Sequence, residues 1–84
     1  MAIEGQLTVE ARRVKPESRV RFERNGPILT MFWDWEYKGQ NLSYSRAELL
    51  QDYERDAEMV GAVVDFCMIQ MGILEKGVDD AEPQ

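Results

Sequence analysis

Hydrophobic residues recur at helical spacing through the second half of the chain. Seven positions, separated alternately by four and three residues, form one predicted buried seam: Tyr53, Ala57, Val60, Val64, Cys67, Met71 and Leu74. Ser45 followed by Glu48 matches the capping box that opens many helices, and Lys76 with Gly77 suits a helix end. The pattern therefore predicts one long C-terminal helix that starts after Ser45 and stops at Gly77.

This predicted helix is long for a chain of 84 residues. It would span about 46 Å, whereas a compact domain of this chain length has a diameter of about 30 Å. Three outcomes are open. The helix breaks or bends near Arg55 to Asp56 or at Gly61, or it stops early at Gly72, or it stays straight and a second chain covers it.

Alternating polar and apolar residues predict β-strands in the first half of the chain. Residues 2–14 alternate loosely, and residues 19–24 place Val20 and Phe22 on one face. Residues 28–37 place their largest apolar side chains on one face, namely Met31, Trp33, Trp35 and Tyr37. Asn25 and Gly26 begin a hairpin turn that Pro27 is expected to lengthen beyond two residues. Residues 42–44 are a candidate short fourth strand.

These elements predict a single α+β domain over residues 1–78. A small antiparallel sheet of three or four strands, in the order β-β-β-(β)-α, is expected to pack through its aromatic face on the long C-terminal helix. Residues 79–84 are acidic and contain Pro83, so this segment is expected to be a disordered tail.

Charge is distributed unevenly along the chain. The net charge is −6, with +2 over residues 1–46 and −8 over residues 47–84. An acidic total argues against general affinity for nucleic acid or for anionic membranes. No signal peptide is expected, and the apolar stretch from Met59 to Leu74 is too short to span a membrane and carries Asp65. We expect a cytoplasmic protein, or one in the host cytoplasm if the source is a virus.

Catalytic, metal and cofactor sites are not indicated. The chain has no histidine and one cysteine, which excludes the usual zinc ligand sets, histidine-based triads and an internal disulfide. Cys67 lies in the apolar seam, where its thiol is expected to be inert. Asp34 and Glu36 share a strand face, but no glycine-rich pocket loop accompanies them, so a solvated face is expected. We therefore expect neither an enzyme nor a bound cofactor.

Five carboxylates precede the apolar half of the predicted helix. Three are spaced four residues apart and two lie on an adjacent line: Glu48, Asp52 and Asp56, with Glu54 and Glu58. An acidic helix face of this kind favours a protein partner with a basic, nucleic-acid-binding surface, because its carboxylates take the place of phosphates. The simpler alternative is a solubilising face. Small size, missing catalytic groups and divided charge also resemble small phage or mobile-element proteins that inhibit host machinery.

A basic cluster in the first half offers an alternative function. Its arginines lie close together in the predicted hairpin: Arg12, Arg13, Arg19, Arg21 and Arg24. Such a cluster can bind the phosphates of nucleic acid. Its simpler alternative is a charged strand edge that discourages the addition of further strands.

The apolar half of the predicted helix has more surface than a small sheet covers. We therefore expect a homodimer through this half, with four candidate contact residues: Val60, Val63, Val64 and Met71. The leading prediction is a non-enzymatic interaction protein that binds, and in one version inhibits, another macromolecule. Nucleic-acid binding is the alternative.

Overall fold

The chain folds as a three-stranded sheet with helices packed on one face. The structure is a computed structural model that describes residues 2–81. Its elements follow in the order α1 (Ile3–Val14), β1 (Arg19–Asn25), β2 (Ile28–Tyr37), β3 (Gln40–Leu49), α2 (Leu50–Arg55) and α3 (Met59–Ala81). The sheet is antiparallel with strand order β1-β2-β3. The predicted α+β class, with a small antiparallel sheet and a long C-terminal helix, is confirmed.

The inward face of β2 forms the centre of the core. Its buried residues alternate along the strand, as the period of two predicts: Leu29, Met31, Trp33 and Trp35. Buried residues of the α3 seam, Val64, Cys67 and Met71, belong to the same core. Burying such large apolar side chains is the main favourable contribution to folding.

Residues 3–14 form a helix, so the strand predicted over residues 2–14 is wrong. Apolar residues of α1 repeat every three or four positions: Ile3, Leu7, Ala11 and Val14. Leu7 and Ala11 are fully buried, and Thr8 Oγ1 donates a hydrogen bond of 2.8 Å to the carbonyl oxygen of Glu4, one turn earlier. The segment fits both the helical and the strand period, and packing against α3 favours the helix.

The predicted helix cap at Ser45 and Glu48 is also wrong, because β3 continues through both residues. All ten residues of β3 pair with β2, which includes the short strand expected at residues 42–44. The strand pattern is hidden in the sequence because Arg46 and Glu48, on the core side, are charged. Arg46 Nε lies 2.7 Å from Glu48 Oε1, and the Phe66 ring of α3 covers the guanidinium at 4.1 Å.

The C-terminal helical segment is broken, as its length predicts, at the expected place near Arg55. α2 ends at Arg55 and α3 begins at Met59, while Gly61, the other expected break, lies within α3. Asp56 has an extended backbone (φ −134°, ψ 108°). Its carboxylate accepts the Glu58 N–H at 2.9 Å, and its carbonyl oxygen accepts the Met59 N–H at 3.0 Å. Asp56 therefore ends one helix and caps the start of the next.

α3 continues beyond Gly77, the predicted stop. Val78 extends the buried seam by one more turn. Asp79 accepts a hydrogen bond of 3.0 Å from the Tyr37 hydroxyl and lies 2.6 Å from Lys38 Nζ. These contacts tie the last turn of α3 to the turn between β2 and β3.

The domain is elongated rather than spherical, with extents of 48 × 24 × 16 Å. α3 has 23 residues, which corresponds to about 35 Å. A helix of this length fits because the molecule is a flat, two-layered body. The tail predicted over residues 79–84 begins inside α3, and its last three residues, 82–84, lie outside the described part of the chain.

The turn between β1 and β2 has two residues, so the expectation that Pro27 lengthens it is wrong. Asn25 pairs directly with Ile28 across the hairpin. Gly26 has a φ of +59°, which suits the first central position of a type II′ turn. The fixed negative φ of Pro27 suits the second position.

Two glycines, one in the turn between β2 and β3 and one within α3, are expected to respond in opposite ways to replacement by alanine. Gly39 has a φ of +80°, so Gly39→Ala is expected to lower the free energy of unfolding by about 1 kcal/mol. Gly72 is exposed within α3, and an added methyl group there meets open space. Gly72→Ala is therefore expected to raise the free energy of unfolding by about 0.5 to 1 kcal/mol. Urea denaturation measures both changes, and a common sign would contradict the two assigned backbone conformations.

Candidate functional site

The five carboxylates predicted to bind a partner do not share one helix face. They are Glu48 on β3, Asp52 and Glu54 on α2, and Asp56 and Glu58 between α2 and α3. Glu48 pairs with Arg46, and Asp56 caps α3. Asp52, Glu54 and Glu58 remain as an acidic segment around α2. Negative charge is concentrated there. The predicted row of carboxylates along one helix face is absent, because the chain is a strand up to Leu49.

The five arginines of the predicted basic hairpin separate into two groups. Arg24 donates two hydrogen bonds to the Glu4 carboxylate, at 2.7 and 2.9 Å, and these bonds lower the pKa of Glu4 to about 2. Arg13 Nε donates to Glu10 at 3.2 Å. The remaining three line one groove between α1 and β1: Arg12, Arg19 and Arg21. The structure therefore brings together three of the five predicted residues and engages the other two in ion pairs.

The residues predicted for self-association lie inside the chain's own core. Val63, Val64 and Met71 are buried, and Val60 is half-buried against the same cluster. Their apolar surface already contacts the rest of the chain's core, so little of it is exposed for contact with a second chain. A dimer contact through α3 requires a different set of residues.

Apart from Leu74, the large exposed apolar side chains of α3 lie on one flank of the helix. Ala62, Phe66, Ile69 and Ile73 follow at spacings of four, three and four residues, which places them on one side. We call these four residues the α3 flank. Phe66, Ile69 and Ile73 have exposed fractions of 39%, 62% and 58%. Because a free helix of a small domain normally turns polar residues to water, this flank is a candidate contact surface.

One member of the α3 flank, Phe66, lies over the edge strand β3. Phe66 covers Arg46 of β3 at 4.1 Å, whereas the opposite side of α3 faces α1, where Lys15 Nζ contacts Glu75 at 3.2 Å. β3 forms one edge of the sheet. A partner at this position can contact both the helix flank and the backbone of an edge strand.

No protein-family model, curated protein or solved structure matches this chain. Within residues 2–81, none of the helices has the length and apolar character needed to cross a membrane. In the same part of the chain, no three His, Cys, Asp or Glu side chains are grouped so as to hold a metal ion. Burial raises the pKa of the Cys67 thiol to about 11, so at neutral pH it is protonated and unreactive.

Sequence reasoning missed the α3 flank as a surface, although its signal was present. Its members form a second seam with the same 4-3-4 spacing as the buried one. Which of these two seams, on nearly opposite sides of α3, faces the core depends on where the sheet and the remaining helices lie. Because residues 3–14 were assigned to a strand, the position of α1 against α3 was not available to decide between them.

Proposed function

We propose that the protein is a non-enzymatic interaction protein that pairs with a second copy of itself through the α3 flank and the edge of β3. The observation that carries this proposal is the exposure of Phe66, Ile69 and Ile73 on one side of α3. A twofold-symmetric interface uses the same patch on both copies, so each of these side chains contributes twice.

The hydrophobic gain is of the size that a reversible dimer needs. Fully burying an isoleucine or phenylalanine side chain stabilises by roughly 1.5–3 kcal/mol. Because Phe66, Ile69 and Ile73 are about half exposed, roughly 1 kcal/mol remains to be gained for each on each copy. Against the cost of association, this favours a dimer of moderate rather than very high affinity.

The charge pattern supports a second copy as the occupant. Two chains of net charge −6 repel each other, so their contact must avoid charged groups. The α3 flank satisfies this condition because Ala62, Phe66, Ile69 and Ile73 are all uncharged. Nonpolar residues facing the same residues across a twofold axis create no like-charge contact.

The two edges of the sheet differ in a way that supports the same interface. The outward residues of β1 include Arg19, Arg21 and Glu23, and such charges discourage strand addition. The outward residues of β3 are uncharged, namely Asn41, Ser43, Ser45, Ala47 and the apolar Leu49. β3 also contains neither lysine nor proline. Two copies of β3 can therefore pair antiparallel about a twofold axis and extend the sheet from three strands to six.

A further partner of the dimer is proposed to be a protein with a basic surface. The acidic segment around α2, with Asp52, Glu54 and Glu58, is the support for this part of the proposal. An inhibitory role of the kind found in small phage proteins stays a prediction, as does a cytoplasmic location. Affinity capture from the native host, with Glu54→Lys and Glu58→Lys as the comparison, tests whether a basic partner depends on this segment.

The dimer is tested by comparing the same kind of substitution, an exposed apolar residue to glutamate, at two positions, one on the α3 flank and one on α1. Ile69→Glu places one carboxylate on the α3 flank, and we expect sedimentation velocity to show only monomer at about 100 µM, where the parent chain is expected to be dimeric. The control is Val9→Glu, because Val9 is an apolar residue exposed to a similar degree, 59%, on α1. This variant is expected to sediment like the parent. Equal behaviour of the two variants would contradict the proposed interface.

A further inference from the structure

A groove between α1 and β1 is lined by three guanidinium groups. Its volume is about 540 Å³, and its lining combines Arg12 of α1 with Arg19 and Arg21 of β1. Side chains of ligand-sized pockets typically enclose about 300–1,000 Å³. Thr8 and Ser18 add hydroxyl groups to the wall, and Asp34 is the only carboxylate in the lining. The groove is therefore positively charged in a chain whose net charge is −6.

The arginines of this groove are less engaged than the other basic groups of the first half. Arg13, Lys15 and Arg24 have carboxylate partners within 4 Å. Among residues 2–81, Arg12 and Arg19 form no such ion pair. The weak pair between Arg21 Nε and Asp34 Oδ2 measures 3.9 Å. The arginines of the first half that the fold leaves without a close carboxylate are therefore gathered in this groove.

Strand geometry explains why two of these groups point the same way. Arg19 and Arg21 are two residues apart on β1, so their side chains leave the same face of the sheet. The Arg21 guanidinium stacks on the Phe32 ring at 4.4 Å, which restricts its orientation. Arg12 approaches from the last turn of α1. Planar guanidinium groups with several donors match the oxygens of a phosphate group.

We propose that the groove between α1 and β1 binds the phosphate group of a nucleotide, either free or within a nucleic-acid strand. Arg12, Arg19 and Arg21 supply the donors. Asp34 supplies a charged acceptor at the wall, suited to a sugar hydroxyl or a base amino group. The site goes beyond the proposed dimer and is compatible with it, because β1 and β3 are opposite edges of the sheet.

The test uses two probes and two variants of equal charge change. The probes are adenosine monophosphate, followed by calorimetry, and a fluorescein-labelled oligothymidine strand, followed by anisotropy, both at about 50 mM salt. The test variant is Arg12→Gln with Arg19→Gln. The control is Arg55→Gln with Lys76→Gln, two positions that also lack an ion pair among residues 2–81 and lie outside the groove. Circular dichroism confirms that both variants are folded.

We expect the test variant to bind at least about tenfold more weakly and the control to stay within about twofold of the parent. For the strand, three phosphate contacts predict a slope of log affinity against log salt of about −2. Binding of both probes identifies a mononucleotide as sufficient, and binding of the strand alone identifies the polymer as the source. If neither probe binds at millimolar concentration, or if the two variants weaken binding equally, the proposal is overturned.

Discussion

Trp33→Ala is expected to lower the free energy of unfolding by about 3–5 kcal/mol, a large share of the stability of so small a domain. Trp33 has no exposed surface and is the largest of the fully buried side chains. Its neighbours on the sheet are Val20 of β1 and Tyr44 of β3. Truncating a buried tryptophan or phenylalanine typically costs about 3–5 kcal/mol, while a domain of this length has a total stability of roughly 4–13 kcal/mol. Thermal and urea denaturation at one fixed protein concentration measure the loss.

Trp33→Phe provides the matched comparison. The indole N–H of Trp33 meets no oxygen or nitrogen acceptor within residues 2–81 and has only the weak acceptor Cys67 Sγ beside it, so phenylalanine gives up at most a weak hydrogen bond and leaves a smaller cavity than alanine. We expect it to cost clearly less than the alanine variant, about 1–2 kcal/mol. A Trp33→Ala protein with nearly the parent's stability would mean that the aromatic face of β2 is not the centre of the core.

Glu75→Ala is expected to lower the free energy of unfolding by about 2 kcal/mol. One oxygen of Glu75, Oε2, accepts hydrogen bonds from Trp35 Nε1 at 3.0 Å and from Lys15 Nζ at 3.2 Å. The Lys15 side chain is only 12% exposed. Alanine therefore leaves a buried indole donor without its partner and a largely buried ammonium group with Glu17 alone.

Two comparison variants separate the two parts of this effect. Glu75→Gln keeps a carbonyl oxygen for Trp35 and removes the charge opposite Lys15, so about half of the loss is expected. Lys76→Gln changes the neighbouring residue, which is exposed and forms no ion pair among residues 2–81, and is expected to change stability by less than about 0.5 kcal/mol. Urea denaturation orders the three variants. Equal stability of Glu75→Ala and Lys76→Gln would contradict the assigned contacts.

The most regular parts of the fold were predictable from local sequence. Trp33 and Trp35 alternate with polar residues, and this period of two placed β2 and its buried face correctly. A break near Asp56 was one of the outcomes that the length of the helical pattern left open. Both signals depend on residues that are close together in the chain.

The elements that sequence missed were decided by distant contacts. Arg46 and Glu48 occupy core-side positions of β3, where they pair with each other and the Phe66 ring covers the Arg46 guanidinium. Neither residue shows this in isolation, so the segment was assigned to a helix cap. α1 likewise depends on the packing of Leu7 and Ala11 against α3, which lies about 50 residues away in the sequence.

The candidate surfaces were predicted in part. The excess of apolar side chains on the C-terminal helix was evident from composition, but Val63 and Val64 proved buried and Ile69 exposed. The cluster of arginines was also evident, whereas its division into paired and unpaired members depends on Glu4 and Glu10 of a helix that sequence assigned to a strand. In both cases the sequence shows which residue types are present, but it does not show the direction in which each side chain points.

The central claim is that the α3 flank is covered by a second copy of the chain. Light scattering coupled to size-exclusion chromatography, over a dilution series from about 200 µM to 1 µM, measures the molar mass directly. A dimer through the α3 flank predicts a mass of twice 9.8 kDa at high concentration, with dissociation on dilution. A constant mass of 9.8 kDa across the series would contradict it.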